Sequence, residues 1–104
     1  MSEHRRSMRV PCDIILNKIQ DGHTHVVRAI NISLGGIRIQ RLLEPLMDDA
    51  RRTRLQFVLP HTEEVIWAGA KPVYEDGVHT GFEFTSLSHS NFQKLRHWIQ
   101  SYGF

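Results

Sequence analysis

The residues best able to do chemistry in this 104-residue chain fall into two groups. The first is Arg5, Arg6 and Arg9, in the opening stretch "MSEHRRSMRV". A guanidinium presents a rigid planar fork of donors that suits phosphate oxygens and the O6/N7 edge of guanine. A spacing of four would align Arg5 and Arg9 on a helix, but Pro11 follows closely and no apolar face accompanies them. Residues 1–10 therefore read as a flexible basic arm. The second group lies in "NISLGG" at residues 31–36. Asn31 and Ser33 stand two apart at a strand end and would project to one side together. Gly35 and Gly36 remove side chains where another group could approach the backbone. Taken singly, a solvated basic tail and ordinary turn chemistry are the better accounts of the two groups.

Other reactive residues assemble into nothing comparable. His23 and His25 could share a strand face, but no third or fourth ligand stands at metal spacing, and no carboxylate pair or Cys–His arrangement emerges. An enzyme is not expected, nor a bound cofactor. Cys12 alternates with Ile14 and Leu16 and reads as a small core residue. A nucleic-acid-binding module is disfavoured, because net charge is only +2 and no array of exposed aromatics lines one face.

The elements that must position these residues are short strands with period-2 alternation. Val10, Cys12, Ile14 and Leu16 share a face of the first, and "DG" at 21–22 marks a hairpin. "HVVRAINI" forms the second strand and "GIRIQRL" the third, with Ile37 and Ile39 inward. After a polar loop near "EPLMDD", Leu55, Phe57 and Leu59 fall on one side of a fourth. "EEVIWAGAKPVYE" is longer, and its Pro72 implies an edge or a bulge, with Trp67 read as core. A second "DG" at 76–77 precedes "VHTGFEF", with Val78, Phe82 and Phe84 in register. Only the end looks helical: Ser90-x-x-Gln93 resembles a capping box, Phe92, Leu95, Ile99 and Tyr102 recur at helical spacing, and Gly103 suits a stop. The fold class expected is mainly β, a small closed barrel or sandwich of six strands with one terminal helix.

The length suits one domain large enough to fold without a disulfide, and the single cysteine suits a reducing compartment. The basic start lacks an apolar stretch behind it, and no apolar run approaches the roughly 18 residues that span a bilayer. The expectation is a cytoplasmic protein without membrane insertion.

Together, Arg5-x-x-x-Arg9 ahead of the first strand and Asn31-x-Ser33-x-x-Gly36 between the second and third resemble the PilZ family. "GFEFTSLS" at 81–88 and "LQFVLP" at 55–60 resemble its closing segment and middle strand. The resemblance implies a six-stranded antiparallel β-barrel with a C-terminal α-helix over residues 11–104, preceded by the arm at 1–10. It also implies a receptor for the bacterial second messenger cyclic di-GMP. Arg5 and Arg9, with Arg6 beside them, would clamp phosphates and guanine edges. Asn31 would read a guanine, Ser33 would hydrogen-bond a phosphate or base, and Gly35 and Gly36 would permit the close turn. Tyr74 stands where many members stack an aromatic ring on a guanine. Many members carry Asp where this chain has Asn31, and an amide offers one acceptor fewer than a carboxylate. The ligand would order the arm and so create a surface for a partner: an effector protein of motility, pilus, exopolysaccharide or transcription machinery. The alternative within the family is an adaptor that has lost its ligand.

Overall fold

Two residues with positive φ, Asp21 (50°) and Gly22 (79°), join the first two strands. A two-residue loop of this kind matches the natural twist of an antiparallel pair. Strand β1 (Val10–Gln20) pairs with β2 (His23–Ile32) on either side of it. Then follow β3 (Gly36–Gln40), β4 (Thr53–Val58), β5 (Val65–Glu75), β6 (His79–Leu87) and helix α1 (His89–Gln100). The structure, a computed structural model, describes residues 8–40 and 52–102. Arg5 and Arg6, with the rest of the expected arm before Met8, lie outside the described residues, as do the "EPLMDD" loop and Gly103.

All strand pairs are antiparallel and close in the order β1-β2-β3-β6-β5-β4, so that β4 returns to β1. The expected six-stranded barrel with its terminal helix is the fold. Closure pairs every strand on both sides and leaves no edge open. The alternation works as expected in β4, where Leu55, Phe57 and the following Leu59 are buried. Val10 and Leu16 of β1, Val27, Ala29 and Ile32 of β2, and Ile37 and Ile39 of β3 join them inside.

Helix α1 contributes Leu95, Trp98 and Ile99 to the same core. Trp98 also donates its indole N–H to the Pro60 carbonyl at 3.1 Å, which satisfies the polar end of a buried ring. Burial of this kind stabilises by roughly 1.5–3 kcal/mol for each large apolar side chain.

Three local expectations are corrected. The helix is capped by Ser88, whose hydroxyl accepts from the Asn91 N–H at 3.0 Å, and not from Ser90, because β6 ends at Leu87 and the chain turns at once. Trp67 is 38% exposed: Ile66, Ala68 and Ala70 take the inward positions of β5, and its ring lies outside under the Arg54 guanidinium, 4.7 Å from the centroid. Val78 is exposed in the turn before β6, and the buried residue in register with Phe82 is Thr80.

Candidate functional site

The site is shaped by two places where strand alternation slips. On β2, Ala29 pairs with Ile39, Asn31 with Arg38, and Ile32 with Ile37. Ala29 and Ile32 are both buried, so two residues, Ile30 and Asn31, stand between inward positions where β3 has only Arg38. A bulge of this type re-aims the side chains that follow it. Strict alternation would give Asn31 the same side as Ala29; the bulge instead sets it on the outer face beside Arg38.

The second slip is on β5, where Pro72 pairs with Phe82 and Tyr74 with Gly81, leaving Val73 extra. This is the bulge that Pro72 implied, since proline has no N–H for the ladder. Tyr74 and Val73 are both exposed as a result. The pairings Pro11↔Asn31, Asn31↔Arg38, Arg38↔Gly81 and Gly81↔Tyr74 then form one continuous row across five strands. Directly paired residues share a face. Asn31, Arg38 and Tyr74 therefore lie abreast on the outside of the barrel.

Arg9 completes the row. It precedes β1, is exposed, and donates from Nη1 to the Asn31 Oδ1 at 2.8 Å. One member of each sequence motif is thus in direct contact. Below this pair a concavity of about 270 Å³ is lined by Arg9, Ser33, Gly35, Gly36, Val73, Phe82 and Glu83.

Ser33 is placed differently from the expectation that it would project with Asn31. β2 ends at Ile32, so the two-residue period does not carry through to Ser33, which is only 1% exposed. Its hydroxyl accepts from the N–H groups of Gly35 at 3.2 Å and Gly36 at 3.1 Å and lies 3.3 Å from the Gly36 carbonyl, to which it can donate. The backbone closes the same turn, Ser33 N–H donating to the Gly36 carbonyl at 2.8 Å. Ser33 organises the turn from within. Gly36 also has a structural reason: a Cβ there would collide with the Phe82 carbonyl oxygen on β6. What approaches the backbone so closely at this point is the neighbouring strand.

Tyr74 does not line the concavity; Val73 does. The tyrosine ring covers Gly81, occupying the space a Cβ on that residue would need. The Arg38 guanidinium sits 5.7 Å from the ring centroid and 3.4 Å from the Asp76 carboxylate. Asp76 is held in turn by accepting from the His79 N–H at 2.9 Å, with Gly77 (φ 91°) completing the hairpin. The Arg38 Nε–H is buried and has no acceptor. An unmet donor of this kind calls for a partner.

Arg38 is the residue that the sequence reading missed. Its signal was present in "GIRIQ", where Ile37 and Ile39 point inward and leave a lone cation outside. Its neighbours could not be named without the β2–β3 register.

The arrangement offers two guanidiniums, a carboxamide between them and an aromatic ring at one end. It suits an extended anion with planar groups. A larger concavity of about 520 Å³ beneath α1 is bounded by Leu59, Trp98 and Ser101 and bridged by the Lys94–Glu64 ion pair at 3.4 Å. It holds no arginine and is less suited to phosphate. Among the described residues no three His, Cys, Asp or Glu side chains come together as metal ligands. No helix of the described residues is long and apolar enough to cross a membrane.

Comparison with curated proteins returns no match. Solved structures do match. The inhibitor of motility MotI/DgrA of Bacillus subtilis superposes with a TM-score of 0.77 at 19% identity, over 97% of this chain and 52% of that one. The present chain thus spans about half the length of that protein. The PilZ domain of Escherichia coli YcgR, solved with c-di-GMP, gives 0.74 at 19% identity, over 95% of this chain and 91% of the other. The PilZ domain of CeSA, from a cellulose-synthesizing bacterium, gives 0.71 at 15%, over 94% of this chain and all of that one. At these identities the likeness is one of fold. The sequence itself matches the PilZ domain over residues 3–101, nearly its whole length, and the chain belongs to that family.

Proposed function

We propose that this protein is a receptor that binds cyclic di-GMP on the outer face of β2, β3, β6 and β5 and presents the complex to a partner protein. The observation that carries the reading is the Arg9–Asn31 hydrogen bond at 2.8 Å, which joins the basic segment to the turn motif. Family membership supports it, as do related folds solved with the ligand: YcgR of Escherichia coli and PlzA of Borreliella burgdorferi.

In this reading Arg9 and Arg38 take phosphate oxygens and purine acceptor edges, with Arg5 and Arg6 adding donors from the chain ahead of Met8. Asn31 reads a base. Ser33, Gly35 and Gly36 act at one remove, by holding the turn in the shape that sets Asn31 beside Arg9. Tyr74 supplies a ring face; stacking of a base on such a face contributes roughly 1–3 kcal/mol in single-stranded nucleic-acid complexes. A dinucleotide held by Arg9 and Asn31, with Arg5 and Arg6 ahead of them, would join the basic segment and the ligand into one surface. The partner is a protein of motility, pilus, exopolysaccharide or transcription machinery.

Calorimetric titration of cyclic di-GMP, with GMP and the Arg9→Ala variant as controls, tests this. The expected result is micromolar binding, about −8 kcal/mol, that is lost for GMP and for the variant. Absence of heat and of thermal shift at saturating dinucleotide would overturn the receptor reading in favour of an adaptor without ligand.

A further inference from the structure

An arginine fork takes the O6 and N7 acceptors of guanine, but hypoxanthine presents the same two atoms. What sets guanine apart is its exocyclic 2-amino group, a donor beside N1–H. A donor needs an acceptor on the protein, and Arg9 and Arg38 have none.

Few acceptors reach the concavity beside Arg9. Of the described side chains that line it, only Ser33 and Glu83 carry one. The Ser33 hydroxyl uses both lone pairs on the N–H groups of Gly35 and Gly36. The turn's carbonyls are taken too: Gly36 accepts from the Ser33 N–H at 2.8 Å, and Gly35 from the Phe84 N–H at 2.9 Å. Asn31 Oδ1, just outside, already accepts from Arg9. Among the described residues the Glu83 carboxylate meets only the Lys71 ammonium, at 3.7 Å, which is ion-pair and not hydrogen-bond distance.

The register sets Glu83 on the right face. Phe82 is buried, so the positions of Gly81 and Glu83 on either side of it both face outward. Gly81 belongs to the row of Asn31, Arg38 and Tyr74; Glu83 lies one row further along β6, between Gly36 on β3 and Lys71 on β5. Gly36 has no side chain to cover the carboxylate on the side of the turn. The concavity, about 270 Å³, falls below the roughly 300–1,000 Å³ that houses a drug-sized ligand, so it suits one base and not a whole dinucleotide.

We infer that Glu83 accepts from the 2-amino group and N1–H of a guanine seated in this concavity, which makes the 2-amino group a requirement of the site. The inference rests on the receptor reading above and adds to it a specificity-determining residue. Lys71 offsets the charge that Glu83 would otherwise turn towards the ligand's phosphates.

The test compares dissociation constants for cyclic di-GMP and cyclic di-IMP, which lacks only the 2-amino groups, on the wild type and on Glu83→Ala. Glu83 is more than half exposed, so the variant should fold, and its melting curve checks this. The wild type should prefer cyclic di-GMP by about tenfold or more, and Glu83→Ala should reduce that preference by about tenfold. Removing a charge near the phosphates would alter both constants alike and leave their ratio unchanged. A wild type indifferent to the 2-amino group, or a ratio untouched by the substitution, overturns the inference and leaves the receptor reading intact. Failure of both dinucleotides to bind the wild type overturns the two together.

Discussion

The ring of Tyr74 occupies the space that a side chain on Gly81 would fill. The two residues face each other across β5 and β6, one place beyond the Val73 bulge. The glycine is a seat for the ring, and in the proposed receptor the seat sets where a base would find an aromatic face. A methyl group at this position must push an exposed ring aside.

Gly81→Ala should therefore lower cyclic di-GMP affinity by about as much as Tyr74→Ala, on the order of tenfold. The double variant should bind no more weakly than either single one, because both changes remove the same contact. Fully additive losses in calorimetry would mean that Gly81 acts through something other than the ring.

Ser33 and Arg9 line the same concavity but should fail in different ways. Ser33→Ala leaves the N–H groups of Gly35 and Gly36 without their buried acceptor, which costs about 1–3 kcal/mol. In a domain of this size that lowers Tm by roughly 4–8 °C per kcal/mol. Arg9→Ala removes an exposed hydrogen bond and should leave Tm nearly unchanged while abolishing binding. Paired melting curves and titrations of the two variants check this division. A Ser33→Ala protein as stable as wild type but unable to bind would return the hydroxyl to direct ligand contact.

The pH dependence of stability has an identifiable contributor in Cys12. Burial, with the Asp13 carboxylate adding to it, pushes the thiol from its ordinary value of 9.0 up to about 11. Its Sγ lies 3.6 Å from the Ala29 carbonyl, to which the protonated form can donate. Between these two pH values the unfolded chain has lost the proton that the folded chain keeps. The contribution is thus complete below about pH 9 and is lost as pH rises towards 11. Denaturant midpoints for wild type and Cys12→Ala should converge across that window. Iodoacetamide should also label native Cys12 more slowly at pH 8 than the unfolded chain.

Much of the barrel was legible because its cues are local. The two Asp-Gly turns, the inward triplet Leu55, Phe57 and Leu59, and the bulge at Pro72 each follow from residues within a few positions of one another. The bulge at Ile30 carries no such cue. "RAINI" contains neither glycine nor proline, and the extra residue appears only when β2 is matched against β3. That one slip decides that Asn31 faces Arg38 instead of the core. Trp67 was misplaced for a related reason: a large aromatic ring suggests burial, yet Ile66 and Ala68 already fill the inward register of β5. Ser88 and Ser90 are equivalent as cap residues in the sequence, and the end of β6 decides between them.

Asp76 faces the site from the β5–β6 turn, and its carboxylate lies 3.4 Å from the Arg38 guanidinium. The pair is partly exposed, so its own stabilising effect is small, about 0–1 kcal/mol. Its effect on an anionic ligand should be larger, since the carboxylate both competes for Arg38 and repels phosphate. Asp76→Asn keeps an acceptor for the His79 N–H and so preserves the turn. Affinity for cyclic di-GMP should rise by severalfold in low salt, and the gain should shrink as ionic strength screens the charge. Weaker binding by the variant would show instead that Asp76 holds Arg38 in its productive position, with Tyr74 as the second support of the same cation.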